Sequence, residues 1–480
     1  VGLTLEKEEP MSPLRSKAPR SREKRLDTLG AWLGPVSVAA QEFAAEEVYQ
    51  RIRTFAQSSQ DDLLYALRIL TGIKDSVTII HGPRGCAAAG LYHIATGSNT
   101  RWVVTNLDER DTIMGADRKL RNAVNTLYNR YHPKVAFIVG NPVVAINNDD
   151  IQSVVEELQE ELDLLIVPIY VTGFSSQNAV SGYDTALHAL LKFLSGNHAP
   201  ATKSSAVNLL SVAEHPLDRK EAKELLEALG LELNIIPDNS SVDSFKSAPA
   251  ARASIPLCPD APEYLGSILQ EKYDVPFIDA PRPVGIKGTG RWLKAIGEAL
   301  DISGATDELH SRKTEETTRL IGDFSLSGKK VYISLASASA FSLIPFIEEL
   351  GGVVAGVTLT HLDRLHVRYL NELAAQNPAL QIHVADGQEF EVISILRRLS
   401  ADLYIGDSTH ISQVARLGIP TVSLESIGIV GYSGVLRLTR RIKNALVNRT
   451  FGASLTSIKP PYRESWYNRS DNWHIKQEVK

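Results

Sequence analysis

VTIIHGPRGCAAAGLYH (Val77–His93) runs an apolar, β-branched stretch into a Gly-Pro-x-Gly turn and sets Cys86 at the far end of that turn. Val77–Ile80 reads as a buried strand, and the segment from about Cys86 to Ala95 reads as a helix. Strand, tight turn and helix are the repeating unit of an α/β fold, whose ligands bind beyond the carboxyl ends of the strands. A helix N-terminus lowers the pKa of a thiol, and the thiolate is the form that binds a metal or attacks an electrophile. Gly82 and Gly85 would let the backbone approach a bulky ligand, while Pro83 fixes the turn. The plainer alternative is a small buried hydrophobe in a tight turn. The turn by itself leaves both open.

Outward from this stretch the same alternation repeats. TRWVVTN, PKVAFIVGNP and LLIVPIYVTGF read as strands, and GADRKLRNAVNTLYNRY and DDIQSVVEELQEEL as helices between them. In the first of those helices Leu120, Val124, Leu127 and Tyr131 share one face. The second opens on two acidic residues, as the helix dipole favours. A polar break, SGNHAPATKSS, precedes a second unit (AVNLLSVAEH, DRKEAKELLEALG, LELNIIPD). A third opens at SGKKVYISLASASA and continues through GGVVAGVTLT, LQIHVAD, ADLYIGD and IPTVSLES. The expected organisation is an N-terminal arm (1–45), α/β domains over 46–197, 198–320 and 321–455, and a C-terminal tail (456–480). The expected fold is α/β, three Rossmann-like parallel-sheet domains. The glycine-rich GIKGTGRW (Gly285–Trp292) follows no convincing strand and reads as a loop.

At 480 residues the chain is too long for a single core. A net charge of −5 gives nucleic acid no basic field to bind. No uncharged apolar run is long enough to span a membrane. The early basic stretch MSPLRSKAPRSREKR lacks the apolar segment of a secretory signal and reads as a disordered or partner-hugging arm. Two cysteines, Cys86 and Cys258, make no disulfide scaffold, so a reducing cytoplasmic compartment is expected. There is no Gly-x-Gly-x-x-Gly and no Walker lysine. His81, His93, His361, His366 and His410 show no recognised metal-ligand spacing and read as core or surface residues.

HGPRGC, then TNLDERDTIMGADRKLRNAV, then PKVAFIVGNPVVAINNDDI, in that order and spacing, resemble the nitrogenase component 1 superfamily. The resemblance spans roughly residues 55–450 and extends to GYDTALHALLKFL, LCPDAPEYLGSILQEKYDVPFI and GIPTVSLESIGIVGYSG. It implies three Rossmann-like domains around a central cleft, assembly as α2β2, and an ATP-hydrolysing iron protein as electron donor. It also implies an iron–sulfur cluster at the subunit interface, with Cys86 in the position of a ligating cysteine. Catalytic nitrogenase subunits carry three such cysteines. Here the earlier position, near SSQDDLLYAL, has none, and Asn141 stands where the later one would fall. One ligand per chain resembles the β-type partner of a maturation scaffold or of a nitrogenase-like reductase such as methylthio-alkane reductase. In those, an α-type subunit completes a 4Fe–4S cluster.

Cys258 falls close to where nitrogenase α subunits anchor the active-site cofactor. The second anchor, a histidine, would fall near Glu425 and is absent. Cys258 is therefore a second candidate metal ligand, with a buried small residue as the alternative. The resemblance thus implies a reductase subunit, an oxidoreductase that takes low-potential electrons through a shared cluster to a cofactor site. Its alternative is a maturation scaffold that holds a larger iron–sulfur cofactor precursor. A third reading, outside the family, is a non-redox α/β protein that binds a small molecule at its strand ends. Asp117, Arg118 and Arg121 are expected either to contact the iron protein or to form a solvated helix face.

Overall fold

A computed structural model of the chain describes residues 28–46, 48–49, 51–53, 62–85, 101–171, 179–195, 202–408, 410–448, 454, 456, 469–470 and 472–477. In chain order its strands are β1 (Trp32–Pro35), β2 (Arg51–Arg53), β3 (Ser76–His81), β4 (Trp102–Val104) and β5 (Val135–Gly140). They continue with β6 (Leu165–Tyr170), β7 (Val207–Ser211), β8 (Leu233–Pro237), β9 (Ser254–Pro256) and β10 (Lys330–Leu335). The last are β11 (Val353–Leu359), β12 (Gln381–Val384), β13 (Leu403–Gly406), β14 (Thr421–Ser423) and β15 (Ile475–Gln477).

The first sheet has the order β4-β3-β5-β6, all parallel, with Ile79 level with Val103 on one side and Ile138 on the other. Every residue of β3 and β5 is buried, as a parallel sheet covered on both faces requires. Val77 and Ile79 pack with Leu120, Val124 and Leu127 of helix Asp117–Tyr131 and with Val154 and Leu158 of helix Ile151–Glu161. Ile80, Phe137 and Val139 face the other way, onto helices Asp62–Leu70 and Ala179–Leu194. That second core runs on into Leu210, Ile236 and Tyr273, so the first and second units share buried surface.

The second sheet is parallel in the order β8-β7-β9. Beside it Gly285–Trp292, expected as a loop, is instead the opening of helix Gly285–Leu300. Its glycines are sites of close packing. A side chain at Gly290 would come within 2.6 Å of His310, and one at Gly297 would overlap Thr306, both on the neighbouring helix Ser303–Ile321. Trp292 is fully buried and donates its indole N–H to the Pro256 carbonyl at 3.0 Å.

The third sheet has the order β1-β12-β11-β10-β13-β14, parallel except for β1, which pairs antiparallel with β12 at the edge. Trp32–Pro35, grouped above with the N-terminal arm, thus extends this sheet, and helix Val36–Ala44 packs on helix Val367–Gln376. The tail returns to its own chain: β15 pairs antiparallel with β2. His474 is buried with its Nε2 2.5 Å from Glu391 Oε1. The Arg469 guanidinium lies 4.7 Å from the ring centre of Trp473. The basic N-terminal stretch and Trp466 lie outside the described residues. The architecture is three Rossmann-like α/β units built on parallel sheets. Among the described residues, no helix is long and apolar enough to cross a membrane.

Candidate functional site

The carboxyl end of β3 leads straight into the turn that carries Cys86. His81, the last strand residue, is buried with Nδ1 3.1 Å from Thr105 Oγ1 and Nε2 3.5 Å from Asp149 Oδ2. Burial pushes its pKa down to about 4, against a weak pull from Asp117, so the ring is neutral at pH 7. Thr105 Oγ1 also accepts the Gly82 N–H at 2.9 Å.

Gly82 has φ +149, and any side chain there would overlap the amide of Asn141. Its missing side chain is thus required by the protein's own packing, whereas a side chain at Gly85 would meet open space. Asn141 is fully buried; its backbone N–H donates to the His81 carbonyl at 3.0 Å. Its Oδ1 accepts the N–H groups of Val143 (3.1 Å) and Val144 (3.3 Å), capping helix Pro142–Asn147. Asn141 therefore closes the helix end beside the turn. Arg84 and Gly85 are exposed. Cys86 and His93 lie outside the described residues.

Around this edge three large apolar side chains are exposed among charged and polar ones. Helix Glu109–Met114 follows β4 and has no buried residue; Ile113 is 80% exposed and Met114 76%. Helix Pro142–Asn147 follows β5 and leaves Ile146 72% exposed. The two helices are tied by Asn147 Nδ2 donating to the Thr112 carbonyl at 3.1 Å. Nearby, Asp117 and Arg118 are exposed, while Arg121 pairs with Glu157 and Glu161 on the adjacent helix.

A second constellation lies where the second and third units meet. Cys258, just past β9, is buried, and burial pushes its thiol pKa up even though Arg282 pulls it down. Arg282 is itself buried and makes a bidentate pair with Glu214 at 2.5 and 2.6 Å. Its Nη2 lies 3.6 Å from Asp218 Oδ2. Asp218 in turn accepts the Val430 N–H at 2.8 Å, tying the second unit to the third. Glu425 is exposed on the loop after β14.

Two residues beyond Cys258, Asp260 faces His361 and His366 from the loop after β11. Asp260 Oδ2 is 3.3 Å from His361 Nε2 and 3.7 Å from His366 Nε2, and all three residues are buried. Both histidines are buried, in keeping with a reading as core residues, and they lie beside a carboxylate from another unit. The local signal was present as His-x-x-x-x-His after a strand; the third member comes from another domain. His410 is buried at the start of helix Ile411–Ala415, away from this group.

The family model for nitrogenase component 1 type oxidoreductases matches residues 62–447 of this chain. The nitrogenase iron-molybdenum cofactor biosynthesis protein NifE of Methanococcus maripaludis is 23% identical over 442 residues, 88% of this chain and 90% of that protein. The nitrogenase molybdenum-iron protein alpha chain of Methanosarcina barkeri is 26% identical over 312 residues, 61% of this chain and 58% of that protein. The fold is similar to the solved structure of nitrogenase Cp1 at pH 6.5, with a TM-score of 0.72 and 18% identity, covering 84% of this chain and 95% of that one.

Proposed function

The chain belongs to the nitrogenase component 1 type oxidoreductase family, and on that premise we propose that it is one subunit of a nitrogenase-like reductase complex. Cys86 supplies one thiolate to an iron–sulfur cluster, 4Fe–4S in kind, that a partner subunit of the α type completes. When bound, such a cluster relays single electrons at low potential, here from an ATP-hydrolysing iron protein. This chain's part is to hold the turn rigid, through Gly82 against Asn141 and Thr105, and to present it at a subunit interface.

One observation carries this reading. The strand-end edge that bears the turn is rimmed by Ile113, Met114 and Ile146, large apolar side chains held out on two short helices. Together on two tied helices beside the turn, these side chains offer a partner apolar surface to cover. Asn141 adds support, because a side chain spent on capping a helix leaves the later ligand position to another chain. The test is anaerobic co-purification of the chain with its partner, followed by iron and acid-labile sulfide analysis. Iron together with acid-labile sulfide in the assembled complex, with no sulfide on the isolated chain, supports the reading; a stable monomer carrying both iron and acid-labile sulfide refutes it.

The NifE relative, matched over 88% of this chain, favours a second reading, a maturation scaffold. Passage of a cofactor precursor from the complex to an apo-enzyme would establish that role, and substrate turnover by the complex would establish the reductase.

A further inference from the structure

We propose that Asp260, His361 and His366 bind a divalent first-row transition-metal ion, zinc or ferrous iron in class, at the junction of the second and third units. This site is separate from Cys86 and does not rest on the electron-delivery reading. The three ligand atoms lie within 4.8 Å of one another. Bonds of about 2.0–2.1 Å in tetrahedral array set ligand atoms roughly 3.3 Å apart, close to the 3.3 and 3.7 Å found from Asp260 Oδ2 to the two imidazoles. Among the described residues, His361 Nε2 and His366 Nε2 are buried without a hydrogen-bond partner. Both lie near the same oxygen, Asp260 Oδ2.

The far sides of both rings are held by neighbouring polar groups. His361 Nδ1 is 3.1 Å from Thr360 Oγ1. His366 Nδ1 accepts the Asp363 backbone N–H at 3.2 Å and lies 3.0 Å from Asp363 Oδ1. Metal binding at Nε2 calls for the tautomer protonated on Nδ1, which would donate to the Asp363 carboxylate in place of accepting the Asp363 backbone N–H, the carboxylate–histidine–metal arrangement. Asp363 is fixed in turn by the Leu365 N–H at 3.0 Å, and Phe341 packs against the His366 ring.

Charge points the same way. Two carboxylates, Asp260 and Asp363, are buried together, and a divalent ion offsets both. Without a metal, burial works against a charge on His366, but Asp363 and Asp260 push its pKa up to about 9. The metal-free alternative is therefore an imidazolium held between two carboxylates. Two imidazoles exclude magnesium and calcium, which take oxygen ligands. Arg364–Glu263 at 3.7 Å and Arg368–Asp279 at 2.7 Å bridge the same two units. The ion thus joins an interface that already exists.

The test uses the full chain carrying Cys86→Ala, so that cluster iron does not enter the count. After chelator treatment it is titrated with Zn²⁺ alone and, anaerobically, with Fe²⁺ alone. We expect one equivalent per chain and an X-ray absorption shell of nitrogen and oxygen with imidazole scattering. His361→Gln, His366→Gln and Asp260→Asn should each weaken binding about 100-fold or more, and Asp363→Asn about tenfold, as loss of an outer partner does. Circular dichroism checks that each variant folds; where one does not, the parent's stoichiometry and absorption shell decide. No stoichiometric uptake of either ion, a sulfur-containing shell, or affinities unmoved in folded variants would overturn the site and leave the imidazolium network. None of these outcomes touches the role of Cys86.

Discussion

Gly82 shows how one residue couples the first sheet to the turn that leads to Cys86. At φ +149 and against the Asn141 amide, it has no room for a side chain. Gly82→Ala should cost about 2–3 kcal/mol through strain and overlap, read as a lower denaturant midpoint. Asn141→Ala, which frees the space but removes the cap, should cost about 1 kcal/mol. Because the two residues touch, the double variant should be less destabilised than the sum of the singles. Additivity would show that Asn141 does not set the demand for glycine.

His81 beside them gives a pH signature. Its folded pKa of about 4 lies below the ordinary 6.5, so the folded state binds fewer protons than the unfolded chain. Its contribution to stability is complete above about pH 6.5 and is lost as pH falls toward 4, by up to about 3 kcal/mol. Asp149, whose carboxyl burial pushes upward, acts in the opposite sense and trims the net effect. Thermal unfolding between pH 7 and 5 should therefore decline more steeply in the parent than in His81→Gln. Parallel pH curves for the two proteins would contradict a buried neutral imidazole.

Among the elements, helix Gly285–Leu300 was the one whose sequence misled. Three glycines within six residues read as a loop unless the partner helix is known. Gly290 and Gly297 let helix Ser303–Ile321 come close, where His310 Nδ1 meets the Tyr432 hydroxyl at 2.6 Å. Gly297→Val should destabilise by about 1–3 kcal/mol, because the new side chain meets Thr306 and the Ser303 backbone. Gly304→Ala, on the same pair of helices but facing open space, should be neutral or stabilising by up to about 1 kcal/mol. Equal effects would mean that close packing is not what these glycines serve. The parallel strands were far more legible. Runs such as VAFIVG are apolar throughout because both faces are covered, and helix Asp117–Tyr131 buries Leu120, Val124 and Leu127 at helical spacing.

For the whole molecule, legibility stops where distant segments meet. His361 and His366 sit on one turn, but Asp260 reaches them from the second unit, a contact that no local period encodes. β1 joins the third sheet from the opposite end of the chain for the same reason. Assembly is a property at this scale too. If the proposed partner covers the exposed Ile113, Met114 and Ile146, Ile113→Asp with Met114→Asp should shift sedimentation from the assembled complex toward the free chain while the fold persists. An unchanged sedimentation coefficient would move the interface elsewhere. The most direct measurement of the central claim is anaerobic iron counting with EPR on the co-purified complex, parent against Cys86→Ala. The account predicts that Cys86→Ala loses the interface cluster and its reduced-state signal while circular dichroism stays that of the parent. Full iron content with an unaltered signal in Cys86→Ala would make Cys86 a packing residue and contradict it.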